Sequence, residues 1–142
     1  MAITQAVANS FKTEVLTGTH NFTATTGDSF KLALYTNSAT ISKSTTAYTT
    51  TAEVSGTGYT ATGNTLTSVT PALSTDTAVC DFADTSWTSA TITARGALIY
   101  NNSASDKAVV VLDFGGDKTS TAGTFTIQFP AADASNAILR LA

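Results

Sequence analysis

Thr91-Ile92-Thr93-Ala94-Arg95-Gly96-Ala97-Leu98-Ile99-Tyr100 is followed, after the polar loop Asn101-Asn102-Ser103-Ala104-Ser105-Asp106, by Ala108-Val109-Val110-Val111-Leu112-Asp113-Phe114. Both blocks are rich in β-branched and aromatic residues, which fit a pleated, half-covered surface. The loop between them has hairpin length and turn chemistry. On the first block Ile92, Ala94, Gly96, Leu98 and Tyr100 share one face, and Thr91, Thr93, Arg95, Ala97 and Ile99 the other. Similar short apolar blocks recur on either side: Ala78-Val79-Cys80-Asp81-Phe82, Thr124-Phe125-Thr126-Ile127-Gln128-Phe129 and Ala137-Ile138-Leu139-Arg140-Leu141. The spacing predicts an all-β fold, an antiparallel β-sandwich (jelly-roll-like) of roughly eight strands. None of these blocks brings catalytic side chains with it.

Thr4 is positioned to cap a short helix over about residues 5–16, with Val7, Phe11 and Val15 as its apolar stripe and Gly18 as its end. Such a helix either closes an open end of the sandwich or reaches a neighbouring molecule. Ser29-Phe30-Lys31-Leu32-Ala33-Leu34-Tyr35 alternates with period two and predicts a strand with one buried face. Residues 36–70 are Thr-, Ser-, Ala- and Gly-rich with few large apolar groups, which predicts a loose region ordered by a partner. Within it Gly56-Thr57-Gly58-Tyr59 predicts a bulge or close backbone approach. Thr65-Leu66-Thr67-Ser68-Val69 predicts a short strand closed by Pro71. Gly115-Gly116 predicts a turn between two separate strands, one ending near Phe114 and one over residues 123–129. No repeat of fixed period occurs, and the 142 residues fit a single domain.

Composition narrows the function classes. Charged residues make up 12% of the chain, against about 25% in ordinary soluble domains. Thr and Ser fill the difference, and mean hydropathy is +0.12. A surface so poorly charged predicts partial coverage by a partner or by further copies of the chain. The net charge is −3 and the seven basic residues are scattered, which argues against a nucleic-acid groove. With one cysteine, Cys80, no intrachain disulfide forms, and its apolar strand predicts an inert core thiol. No leader or spanning apolar run is visible, so synthesis in the cytoplasm without membrane insertion is expected.

Candidate chemistry is sparse. His20 is the only histidine, and its place after the predicted helix suggests a surface or capping role. One His and one Cys cannot build a zinc site. Asp113-Phe114-Gly115 matches a kinase tripeptide with nothing else of a kinase around it, and Gly56-x-Gly58 lacks the third glycine of a phosphate loop. The aspartates, eight in all, show no calcium-loop spacing. No catalytic residue, cofactor or metal is therefore expected. Contact surfaces are the better candidates: Phe11, Tyr48, Tyr59, Trp87 and Arg95. Trp87, the only tryptophan, is either a plug at one end of the sandwich or an interface anchor. Arg95, in an apolar strand, calls for a carboxylate from Glu53, Asp81 or Asp113, within the chain or across a subunit boundary.

The whole chain resembles small virion-associated proteins encoded by tailed bacteriophages. The resemblance rests on Asn9-Ser10-Phe11-Lys12-Thr13-Glu14, Phe30-Lys31-Leu32-Ala33-Leu34-Tyr35-Thr36, Glu53-Val54-Ser55-Gly56-Thr57-Gly58-Tyr59, Ala94-Arg95-Gly96-Ala97-Leu98-Ile99-Tyr100-Asn101 and Val111-Leu112-Asp113-Phe114-Gly115. It implies a structural component of the virion, either a capsid decoration (cement) protein or a fibre or spike module that recognises host surface glycans. An acidic chain without a basic patch belongs outside a DNA-filled shell, which favours decoration. The partners then expected are the major capsid protein and further copies of the chain, arranged as a homotrimer at a capsid symmetry point.

Overall fold

The computed structural model describes residues 2–142. Its core is a hairpin of two long strands, β6 (Thr85–Asn101) and β7 (Lys107–Ile127). Two short strands, β1 (Ala6–Val7) and β3 (Asn64–Thr65), and the six-residue β2 (Phe30–Tyr35) complete a five-stranded antiparallel sheet in the order β1-β7-β6-β2-β3. A second antiparallel sheet has the order β4-β5-β8, from β4 (Ser68–Ser74), β5 (Thr77–Phe82) and β8 (Leu139–Leu141). The fold is thus all-β and sandwich-like, with one helix, α1 (Asn9–Leu16).

The large sheet is buried on both faces where β2 and β6 pair. Leu32 lies opposite Ile99 and Ala33 opposite Leu98, neighbouring rows that point to opposite faces. All four side chains are fully buried. On one face the Phe30 ring stacks on Phe22 at 4.3 Å and meets Phe82 of β5 at 5.8 Å, and Phe82 meets Phe129 at 5.6 Å. These rings join the two sheets. On the other face the Tyr48 ring stacks on Tyr100 at 4.8 Å, and the Tyr35 hydroxyl donates to the Thr49 carbonyl at 2.7 Å. The expectation of a single buried face on residues 29–35 is therefore corrected, because the 36–54 segment covers the second one.

That segment is packed, not loose. Ala39, Ile41 and Val54 are buried in it. Its backbone is tied to the sheet by Val54 N–H to the Leu34 carbonyl (2.9 Å), Tyr48 N–H to Asp106 (2.9 Å) and Ala108 N–H to Thr46 (3.0 Å). Its hydroxyls satisfy local backbone donors: Ser42 N–H donates to Thr45 Oγ1 at 2.9 Å and Thr51 N–H to Thr49 Oγ1 at 3.2 Å. Ser and Thr here hold a shape that side-chain volume does not.

Three boundaries also differ from expectation. The helix begins at Asn9, with Ala8 at its N-cap and no side-chain cap. Residues 6–7 are claimed instead by the ladder to Val110–Val111, and Gln5 Oε1 accepts the Asp113 N–H at 3.1 Å. Pro71 lies inside β4, at the register shift between Val69 and Ala72 on an edge strand, where a missing N–H does little harm. Gly115-Gly116 does not reverse the chain. Ala94 pairs with Lys118 and Gly96 with Asp113, so four residues of β7 (114–117) bulge opposite Arg95 alone. Glycine turn chemistry is spent on a bulge, and the two strands expected there form one strand of 21 residues.

Candidate functional site

Side chains expected to mark a contact surface fall into two groups. Phe11 and Trp87 are buried within the chain. Phe11 packs on the His20 ring at 4.8 Å and on Phe22 at 5.9 Å, so α1 lies against its own domain. Trp87 sits directly across the ladder from Phe125, ring centroids 6.1 Å apart, with Tyr59 at 5.8 Å on another side. Its indole is part of the chain's own core. Tyr48, Tyr59 and Arg95 are half-buried.

Tyr48 and Tyr59 converge on Glu53. The Tyr48 hydroxyl donates to Glu53 Oε2 at 2.5 Å, the Tyr59 hydroxyl to Oε1 at 2.7 Å, and the Thr62 N–H also to Oε1 at 2.8 Å. Tyr59 Oη in turn accepts the Leu34 N–H at 3.0 Å. Burial and the neighbouring carboxylate push the Tyr48 phenol up to about 12 and hold Tyr59 higher still. Both stay protonated and donate. Glu53 was expected only as one candidate partner for Arg95; its role is to clamp the 36–64 segment. The signal was present in its isolation, since Lys43 and Glu53 are the only charged residues between positions 36 and 70.

Arg95 selects Asp113 among its three candidates. Its Nε lies 3.1 Å from Asp113 Oδ1, within the chain, and Nη1 donates to Asn37 Oδ1 at 3.3 Å. Asp113 Oδ1 also accepts the Gly115 N–H at 2.9 Å. That bond and the guanidinium lower the Asp113 carboxyl below the usual range.

His20 is not at the surface. Its side chain is fully buried, with Nε2 3.0 Å from Glu14 Oε1 and Nδ1 3.0 Å from Asn101 Nδ2. The rings of Phe11, Phe22 and Phe30 around it were the signal that a capping role missed. Cys80 is half-buried, and desolvation pushes its thiol up to about 12, so it is held as an unreactive thiol.

What is left open is an edge. β1 pairs with β7 only at Val110 and Val111, and among the described residues no strand pairs with the outer edge of β7 beyond them. A groove of about 570 Å³ runs beside this edge, with Leu112, Phe114, Phe125, Ile127, Phe129 and Ile138 among its lining. Polar groups along it come from Gln5, Lys118, Thr119 and Gln128. Next to the groove the hairpin carries exposed Ser and Thr side chains, paired across strands as Ser86 with Thr126 (2.9 Å) and Thr93 with Thr119 (3.3 Å). Among the described residues no three His, Cys, Asp or Glu side chains are grouped to hold a metal ion, and no helix is long and apolar enough to cross a membrane. No family model, curated protein or solved structure matches the chain.

Proposed function

We propose that the chain is a structural protein of a phage virion, a capsid decoration (cement) protein that stabilises capsomer contacts from outside the shell. The observation that carries this reading is the unpaired outer edge of β7 beside an apolar groove. An edge with no strand beside it is a template for a strand from another chain, and backbone pairing there would give adhesion. The polar clusters support the same reading. Glu53, Arg95 and His20 are each engaged by intrachain partners, so the polar chemistry goes into holding shape. No catalytic role is assigned to any residue. The resemblance of the sequence blocks to virion-associated proteins supplies the setting, with the major capsid protein as partner and a homotrimer as the assembly.

The test is the protein's abundance in purified particles, together with the heat resistance of particles that lack it. Many copies per particle and heat-sensitive shells in its absence are expected. A handful of copies, or shells equally resistant without it, would overturn the reading. A second reading, a fibre or receptor-binding module, is favoured by the hydroxyl face of the hairpin, which offers donors and acceptors to a glycan. Binding of the isolated protein to host cells would select it over decoration.

A further inference from the structure

We propose that His20 is an acid-sensitive latch: neutral, it ties α1 to the tip of the β6–β7 hairpin, and a second proton on its ring breaks the tie at Asn101 and loosens loop 102–106. The argument begins from a group that can only donate. The backbone N–H of Ser103 donates to Asn101 Oδ1 at 3.0 Å, which fixes the orientation of the Asn101 amide. Asn101 Nδ2 must then be the atom facing Asp28 Oδ2 (2.8 Å) and His20 Nδ1 (3.0 Å). An amide nitrogen has no lone pair to offer, so His20 Nδ1 is the acceptor. The ring proton is therefore on Nε2 and is donated to Glu14 Oε1 at 3.0 Å. One tautomer satisfies the whole chain Glu14–His20–Asn101–Asp28.

The latch joins distant parts of the sequence. Glu14 lies on α1, Asp28 precedes β2, and Asn101 ends β6 with no exposed surface. The charged groups facing the ring are few. Glu14 lies on the Nε2 side, with the Lys107 ammonium of β7 3.6 Å from its other oxygen, and Asp28 stands behind the Asn101 amide. The remaining neighbours are the rings of Phe11, Phe22 and Phe30, with centroids 4.8, 6.3 and 6.3 Å away.

A proton on Nδ1 would face an N–H of Asn101, donor against donor. Two donors cannot share that contact, so the ring and the amide must part or the amide must turn. Turning the Asn101 amide over offers Oδ1 to the ring. It also sets Nδ2 against the Ser103 N–H and Oδ1 against the Asp28 carboxylate. Either arrangement forfeits hydrogen bonds in a buried place, where each lost bond is expensive. Loop 102–106 loses the side-chain anchor of Ser103 and keeps its ties to Ser29, from Asn102 N–H to the Ser29 carbonyl and from Ser29 N–H to Ser103 Oγ, both 2.8 Å, and that of the Asp106 carbonyl to the Tyr48 N–H at 2.9 Å.

Nuclear magnetic resonance on the full chain tests this. Long-range imidazole nitrogen spectra at about pH 8 should report the Nε2–H tautomer. As the pH is lowered towards about 5 and the imidazolium signal grows, hydrogen-exchange protection at the Ser103 amide should fall at least roughly tenfold while that of Leu98 holds. In His20→Gln the same comparison should show no pH-dependent loss. An Nδ1–H tautomer at high pH would overturn the proposal. So would an imidazole that charges while Ser103 protection stays constant, or one that stays neutral until the whole chain unfolds. The wild-type titration decides the matter even where the variant fails to fold.

Discussion

Two glycines with nearly the same backbone angle separate steric approach from conformational cost. Gly63 has φ +80° and Gly115 has φ +79°, both in the left-handed region that side-chain-bearing residues resist. Alanine at either pays about 1 kcal/mol for the angle alone. At Gly115 that is the whole cost, because an added Cβ would meet nothing within 4 Å. At Gly63 the Cβ would overlap the Leu32 carbonyl oxygen and lie 2.6 Å from the carbonyl carbon and 2.8 Å from Ala33 Cα. These are backbone atoms of β2, held between β3 and β6, so nothing flexible can move aside. The turn before β3 must retreat instead. That costs the pairing of Leu32 with Asn64, the Thr62 N–H to Glu53 bond and the Tyr100 hydroxyl to Thr62 carbonyl bond. Gly63→Ala should therefore destabilise by at least about 3 kcal/mol, in the exceptional range for one substitution. In urea unfolding, with a slope of about 1.5 kcal/mol per molar, the midpoint should fall by about 2 M, against about 0.7 M for Gly115→Ala. Losses equal within about 0.5 kcal/mol would refute the close approach of the 60–64 turn to β2 and the both-faced burial built on it.

Other substitutions probe the core and its ionisable groups. Leu98→Ala, at a fully buried position opposite Ala33 and Val111, should cost about 3 kcal/mol, and Phe125→Ala a similar amount through lost packing on Trp87; equilibrium unfolding measures both. Asp81 is buried, its Oδ1 accepts the Phe82 N–H, and its Oδ2 has no partner. Desolvation, the largest influence, raises its pKa above the ordinary carboxylate value. The folded state then holds this proton more tightly than the unfolded state, so its contribution to stability falls as pH rises from the ordinary value through the raised one. Asp81→Asn should gain on the wild type as the pH rises above the ordinary carboxylate range, and stability curves that stay parallel there would contradict the assignment. Cys80, pushed up to about 12, should react with a disulfide reagent at about pH 8 far more slowly in the native protein than in urea, and equal rates would show an accessible thiolate.

The legible parts of the fold are those whose stability comes from apolar side chains in period two. Residues 91–100 and 108–112 are strands because β-branched residues crowd there, and the loop between them has turn residues at the right spacing. Residues 36–70 were illegible for the opposite reason. A few scattered buried side chains such as Ile41, Val54 and Leu66 are joined by backbone hydrogen bonds, hydroxyl-capped turns and one clamped carboxylate, and none of these makes an apolar period in a window of sequence. Ala6–Val7 is too short to carry a pattern; only the neighbouring β7 makes it a strand. Burial of His20 depends on Phe11, Phe22 and Phe30 meeting from three segments, which spacing alone does not encode. Gly115-Gly116 was legible as a departure from regular strand, but glycine permits a bulge as readily as a reversal, and the partner strand decides. The contact residues divide along the same line. Trp87 reads from sequence as a plug or an anchor, and its cross-strand neighbour Phe125 comes from a segment 38 residues away.

An exposed edge with apolar neighbours invites indiscriminate pairing, and the sequence of β7 bears on which partners it accepts. Asp117 and Lys118 place charge on the exposed part of the strand, and the 114–117 bulge breaks its regular ladder. A flat strand from an unrelated chain finds few consecutive partners there. Pairing of two copies about a twofold axis is constrained further. In an antiparallel ladder on such an axis the central residue faces its own copy, so centring on Asp117 sets carboxylate against carboxylate and centring on Lys118 sets ammonium against ammonium. Heterologous contacts escape this restriction, because the strand that docks differs from the strand that receives. Rings of three and coat lattices are built from such contacts. A twofold pairing through β7 must therefore centre on one of its uncharged residues, away from Asp117 and Lys118.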